Sequence, residues 1–136
     1  MSNEDIEKVN KRKEKMGLAQ EVRNIIAQSI GSETFYRHWI SKNTVYTDGV
    51  DAIATKANAY WLVDDIIINS LLYQKITFQV WELKVDIDKE TAILTLYDDT
   101  KKVKDFEYSF TTFPCDIKFY LIDDTVRWTL LLPQEY

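Results

Sequence analysis

From Ile76 onward, apolar and polar side chains alternate with a period of two, and turn residues interrupt the pattern at intervals. A period of two is typical of strands that bury one face. The pattern predicts five strands, at about 76–86, 91–97, 103–111, 117–122 and 126–132. Because a parallel crossover needs about a dozen residues and these connections are shorter, we expect an antiparallel meander.

The alternation also indicates which side chains of these strands face the core. Two alternating sets are expected to point toward the helices: Phe106, Tyr108 and Phe110, and Trp128, Leu130 and Leu132. The strand at 76–86 changes its apolar phase near Trp81. This change predicts either a bulge at Trp81 or burial of the strand on both faces.

The first half of the chain has helical patterns instead. Residues 4–30 predict one helix, or two in line, whose second half, after Gly17, carries an apolar stripe. A second helix is expected after the capping residues at 47–49, and a third over about 59–72, with Asn58 as its cap. The expected fold is therefore α+β, with N-terminal helices packed on one face of a roughly five-stranded antiparallel meander sheet. Residues 17–136 would form a single compact domain and residues 1–16 a charged helical arm.

Composition excludes several classes of function. The chain has 136 residues, one cysteine (Cys115), one histidine and three glycines. These numbers leave no ligand set for a closed zinc site and no glycine-rich phosphate loop, and no Gly-x-Ser-x-Gly motif is present. We expect no cofactor and no metal. With no long apolar run and a charged start unlike a signal peptide, we also expect a cytoplasmic protein without a membrane partner.

The net charge is −5, which argues against a general nucleic-acid binder. The arm has the opposite sign, because five bases lie between residues 8 and 15 beside one acid: Lys8, Lys11, Arg12, Lys13 and Lys15. One interpretation is a frayed, solubilising terminus. The other is contact with RNA phosphates or an acidic protein surface.

Carboxylate chemistry is the catalytic option that the composition leaves open. His38, Asp48 and Asp64 form an alternative polar site around a cation or a general base. Asp64 and Asp65 are adjacent on the third predicted helix and point about 100° apart, so they cannot both face one site. We expect one of them to pair with Arg37, His38 or Tyr60, in a structural rather than a catalytic contact.

Four tryptophans and eight tyrosines are a large aromatic load for this length. Most are expected in the core, but these residue types also anchor protein interfaces. Trp39, Trp61 and Trp81 are our candidates for lining a partner surface.

Several short segments carry a resemblance to known sequences. They are Thr-Asp-Gly-Val at 47–50, Ala-Tyr-Trp-Leu-Val-Asp at 59–64, Phe-Gln-Val-Trp-Glu-Leu at 78–83, Thr-Thr-Phe-Pro at 111–114 and Leu-Leu-Pro-Gln-Glu-Tyr at 131–136. With these segments, residues from about 31 to 136 resemble a small domain family of unknown function seen in bacterial genomes and mobile elements. The resemblance implies a compact single domain and no assigned activity. In the last segment, Pro133 is expected to end the fifth strand and Tyr136 to pack back on the helices. The alternative is that Glu135 and the terminal carboxylate present negative charge beside Tyr60 and Trp61.

The sequence thus favours a non-catalytic, macromolecule-binding protein over an enzyme. The partner is expected to be a host protein or a ribonucleoprotein. If the mobile-element setting implied by the resemblance holds, the more specific expectation is an inhibitor of a host defence system. Such an inhibitor would be of the anti-CRISPR type, which binds an RNA-guided nuclease or its guide RNA. The alternative is a small metal- or carboxylate-dependent enzyme.

Overall fold

The computed structural model describes residues 2–29, 31 and 34–136. Its three α-helices are α1 (Asn3–Gln28), α2 (Asp48–Lys56) and α3 (Tyr60–Ser70). Seven strands follow the order β1 (Phe35–Arg37), β2 (Thr44–Thr47), β3 (Phe78–Asp86), β4 (Thr91–Asp98), β5 (Lys101–Tyr108), β6 (Ile117–Asp123) and β7 (Trp128–Leu131). Short 3₁₀ turns follow α3 (Leu71–Tyr73) and β7 (Pro133–Glu135). The predicted α+β class is confirmed.

The sheet differs from the predicted meander in strand number and order. All seven strands form one mixed sheet in the order β1-β2-β7-β6-β3-β4-β5. The pairing of β2 with β7 is parallel, and the other pairings are antiparallel. The prediction of five antiparallel strands is therefore wrong in these details. It left out β1 and β2 because segments of three and four residues are too short to show a period of two.

The order of the strands changes at the connection between β5 and β6. This connection, residues 109–116, carries the chain across one end of β4 and β3, so that β6 pairs with β3. Three strand spacings are about 14 Å, and eight extended residues span up to about 26 Å. The connection is long enough for the crossing, and it buries Phe113 and Cys115 against the core.

The helices and the inner face of the sheet enclose the core. Ala19 and Val22 of α1, with α2 and α3, cover the residues of β3 to β7 that alternate inward, such as Leu83, Leu94 and Leu130. The predicted inward direction of Trp128, Leu130 and Leu132 is confirmed, because all three are buried. Phe110 was predicted to face the helices as well, but it is 66% exposed because β5 ends two residues before it, at Tyr108.

At Trp81 the predicted alternative of a bulge is absent, since β3 keeps its register with both neighbours, and the outer residues Phe78 and Val80 are half-buried, as the other alternative expects. Two further local predictions need correction. Asn58 does not cap α3: it has a positive φ of 51° and follows the end of α2, where asparagine is a common left-handed stop. Tyr136 packs on Phe78 and Tyr120, on the sheet face away from the helices.

Helix α1 runs without a break through the predicted boundary between arm and domain at residues 16 and 17. Its charged half lies along the turn between β3 and β4. Arg12 pairs with Asp88 at 2.5 Å, and Lys15 pairs with Glu90 at 3.1 Å. The predicted helix end at residue 30 lies outside the described residues, and the described helix ends at Gln28. Among the helices that the structure describes, none has the length and apolar character needed to cross a bilayer.

Candidate functional site

The one histidine of the chain organises the loop between β1 and β2. His38 is only 2% exposed, and its Nδ1 accepts hydrogen bonds from the backbone N–H groups of Ile40 (3.3 Å) and Ser41 (3.0 Å). Because two donors point at Nδ1, we assign the ring proton to Nε2. That nitrogen lies 2.8 Å from Oδ1 of Asp64 on α3 and donates to it. Of the three partners expected for an α3 aspartate, Arg37, His38 and Tyr60, the structure has His38.

The same carboxylate oxygen holds the neighbouring tryptophan. Nε1 of Trp39 donates to Oδ1 of Asp64 over 3.0 Å, so one oxygen accepts from two successive side chains of the loop. Even so, Trp39 is 71% exposed. The indole is thus fixed at its polar edge while most of its apolar area faces solvent.

A group of tyrosines extends this region. Tyr36 stacks on Tyr46 with ring centroids 5.6 Å apart. Burial raises the pKa of Tyr46, and the nearby charges of Asp51 and Asp64 and the phenols of Tyr60 and Tyr36 act in the same direction. We call the region formed by Tyr36, Trp39, Tyr46, Asp51, Tyr60 and Asp64 the Trp39 surface.

Tyr60 occupies the start of α3 and ties it to α2. Its hydroxyl donates to Oδ1 of Asp51 and lies 2.9 Å from Oγ1 of Thr55. The hydrogen bond to Asp51 is the largest cause of a raised pKa of Tyr60. Tyr36 and Tyr60 are each about 40% exposed, so their rings remain accessible while their positions are held.

Asp65 points away from this surface, as its position beside Asp64 predicts. Its Oδ2 accepts from the hydroxyl of Tyr108 over 2.7 Å, and Tyr108 contacts the ring of Trp61 edge-on. Burial, followed by the hydrogen bond to Asp65, raises the pKa of Tyr108 strongly. This contact joins α3 to β5 and is structural.

The three tryptophans singled out from the sequence have different surroundings. Trp81 is fully buried, and its Nε1 donates to Gln79 over 2.9 Å, so it does not line a surface. Trp61 is half-buried and packs against the core. Trp39 is the one that presents most of its area to solvent.

The alternative polar site does not assemble as a triad. Asp48 lies at the first turn of α2 and accepts from the backbone N–H of Gly49, whereas His38 bonds with Asp64. The described residues contain no group of three His, Cys, Asp or Glu side chains placed to hold a metal ion.

The start of α2 is also where two of the sequence segments meet. The Thr47 hydroxyl caps the helix by accepting from the backbone N–H of Val50 and itself donates to Oε1 of Glu135 over 2.7 Å. The same oxygen accepts from the backbone N–H of Leu132. Segments 47–50 and 131–136 therefore form one structural contact.

Four of the five basic residues of the arm, Lys8, Lys11, Arg12 and Lys15, line a groove of about 570 Å³ beside the β3–β4 turn. Arg12 and Lys15 are neutralised there by Asp88 and Glu90. Lys8, Lys11 and Lys13 are exposed, and within the described residues no carboxylate pairs with them. The arm therefore presents less net positive charge than its sequence suggests.

Sequence reasoning missed Tyr36, Tyr46, Asp51 and Tyr60 as members of one surface. A usable signal was present, since four aromatic residues lie between 35 and 46 in two short extended segments. What the sequence does not show is that α3 brings Tyr60 and Asp64 beside them, because this contact depends on the packing of distant elements.

Comparison with known proteins gives a family and nothing more specific. A family model described as "Family of unknown function (DUF6876)" matches residues 20–136, which include the whole sheet, α2, α3 and residues 20–28 of α1. No curated protein and no solved structure matches the chain. The expected membership in an uncharacterised family is confirmed, and the match leaves the arm outside. The chain belongs to the family of unknown function DUF6876.

Proposed function

We propose that this chain is a non-catalytic protein that binds a macromolecular partner through the Trp39 surface. One observation carries the proposal: Trp39 is 71% exposed, yet its indole is held by a hydrogen bond to Asp64. An exposed tryptophan without a partner places a large apolar area in water, which is unfavourable. Tryptophan and tyrosine are also the residue types most enriched among the residues that dominate binding energy.

The way in which the indole is held adds to this argument. A side chain that is ordered before binding loses less conformational entropy when a partner covers it. Buried His38 connects the loop backbone to Asp64, and Asp64 connects to Trp39. These contacts prepare the surface for binding, and Tyr36 and Tyr60 supply further aromatic area beside it.

The groups that catalysis would use are engaged in structural contacts. Both ring nitrogens of His38 are occupied, and the ring is buried, so a substrate proton has no path to it. Burial raises the pKa of the Cys115 thiol, which favours the unreactive protonated form. These observations support a binding role over the carboxylate-dependent enzyme, which stays a prediction without a supporting observation of its own.

The nature of the partner is a finer proposal. A net charge of −5 suits a basic partner, because complementary charge speeds encounter. An RNA-guided nuclease of a host defence system has a basic channel of this kind. We therefore propose such a nuclease as the partner, and its inhibition as the function, in a bacterial or mobile-element setting. Contact of Lys8, Lys11 and Lys13 with RNA is a secondary proposal.

The test is affinity capture followed by measurement on the purified pair. The tagged chain is used to isolate partners from the cells that encode it, and the dissociation constant of the purified partner is measured for three forms of the chain. These are the unchanged chain, Trp39→Ala and Phe110→Ala. Phe110 is the matched control, because it is also an exposed aromatic residue and lies near the opposite edge of the sheet.

We expect Trp39→Ala to weaken binding by at least about 30-fold, which corresponds to the 2 kcal/mol or more that defines a dominant contact residue. Phe110→Ala should change the dissociation constant by less than about threefold. A partner that binds the Trp39→Ala form as tightly as the unchanged chain would show that the surface lies elsewhere. A specific chemical turnover by the purified chain would favour the enzyme instead.

A further inference from the structure

We infer that the Trp39 surface anchors an arginine side chain of its partner protein, between the exposed indole of Trp39 and the carboxylate of Asp64. The inference rests on the proposed function and adds the chemistry by which the partner is recognised.

The arrangement of Asp64 supports a cationic ligand. Its Oδ1 already accepts from both His38 and Trp39. In the described part of the chain, no group donates to its Oδ2, and the side chain is 30% exposed. A carboxylate with one oxygen committed to two donors and the other without a described donor is therefore a ready acceptor for a charged donor.

The neighbouring groups add to the same preference. Asp51 has its Oδ1 engaged by Tyr60, and it lies with Asp64 among the groups that act on Tyr46. Each of the two carboxylates is hydrogen-bonded to an aromatic side chain of the Trp39 surface, Asp51 to Tyr60 and Asp64 to Trp39. Aromatic faces attract cations, and adjacent carboxylates strengthen that attraction while repelling phosphate.

Arginine fits this geometry better than lysine. The guanidinium group is planar, so it can stack on an indole while its edge donates to a carboxylate at the side of the ring. In Trp39 and Asp64, the ring and the carboxylate are joined by a 3.0 Å hydrogen bond, so they are fixed relative to each other. An ammonium group has no flat face for the stacking contact.

The probe for the experiment is a capped hexaarginine peptide, titrated into the full chain while the indole Nε1–H signal of Trp39 is followed by NMR. Capped hexalysine and a hexauridine RNA are titrated in parallel. The key variant is Asp64→Asn, which keeps an oxygen for His38 and Trp39 but removes the charge. The matched control is Glu107→Gln, which removes one negative charge from exposed β5 on the sheet face away from the helices.

We expect hexaarginine to shift the Trp39 signal saturably and to bind about threefold or more tighter than hexalysine. Asp64→Asn should weaken hexaarginine about threefold to tenfold, and Glu107→Gln by less than about twofold. Equal weakening by both variants would mean general charge attraction and would overturn the inference. A shift with hexauridine but not with hexaarginine would overturn it as well.

The two proposals fail in different ways. If the captured partner loses binding with Trp39→Ala but not with Asp64→Asn, the surface stands and the arginine anchor is wrong. If the partner binds the Trp39→Ala variant as tightly as the unchanged chain, the proposed function itself is wrong, regardless of the result of the peptide titrations.

Discussion

At the scale of single residues, the contact between Gly49 and Glu135 shows how a distant carboxylate limits a helix position. Gly49 lies in the first turn of α2, and a Cβ built there would come within 2.8 Å of Oε1 of Glu135. That carboxylate is held by the Thr47 hydroxyl and the Leu132 backbone, so it cannot move without losing both hydrogen bonds. Glycine is needed here for space.

A double-mutant cycle tests this explanation. Gly49→Ala should lower the free energy of unfolding by about 1–3 kcal/mol, since it overpacks a tight contact. In a Glu135→Ala background the same change should be neutral or stabilising by up to about 1 kcal/mol, because alanine is the better helix former. Urea unfolding of the four forms gives the values. Equal destabilisation in both backgrounds would show that Glu135 is not the cause.

Some residue contacts were predictable and others were not. That one α3 aspartate would pair with Arg37, His38 or Tyr60 followed from the divergence of two adjacent aspartates and from the need to satisfy a buried polar group. The sequence did not choose among the three, and the structure has His38. The sequence did not show which of Trp81 and Trp39 is buried and which is exposed. Both lie in aromatic segments, and only the central position of β3 in the sheet buries Trp81.

At the scale of elements, the charged half of α1 is held by partners more than 70 residues away in sequence. The sequence predicts its helical form and its charge, but the acidic β3–β4 turn becomes its neighbour only when the sheet has formed. The Arg12–Asp88 pair is exposed on both sides, whereas the Lys15–Glu90 pair is more sheltered. Exposed pairs of this kind stabilise weakly and respond to salt.

The arm therefore offers a prediction with a built-in control. Arg12→Ala and Lys15→Ala should speed amide hydrogen exchange in the first three turns of α1, and Lys13→Ala should not, because Lys13 pairs with no described carboxylate. Each change should alter the free energy of global unfolding by less than about 1 kcal/mol. Raising the salt concentration to about 0.5 M should bring the exchange rates of the unchanged chain closer to those of the Arg12→Ala and Lys15→Ala variants, because salt screens the ion pairs. Exchange that is equal in all four forms would mean that the ion pairs do not hold the arm.

At the scale of the whole molecule, the class of the fold was predictable and the order of its strands was not. Period-two alternation marked β3, β4, β6 and β7, which bury side chains on their inner face, and β5, whose Phe106 and Tyr108 are half-buried there. The order depends on which strand the chain reaches after residues 109–116, and local pattern carries no information on that choice. Local sequence pattern does not predict the Trp39 surface either, because this surface combines the loop after edge strand β1 with α2 and α3.

The central claim is that the exposed indole of Trp39 is held in place before any partner binds. The most direct measurement is the ¹⁵N heteronuclear NOE of the indole Nε1–H groups in the free chain, with buried Trp81 as the internal reference for a rigid ring. We predict that Trp39 gives an NOE close to that of Trp81, and that Asp64→Ala lowers the Trp39 value while leaving Trp81 unchanged. A low NOE for Trp39 in the unchanged chain would show a freely moving indole and would contradict the account.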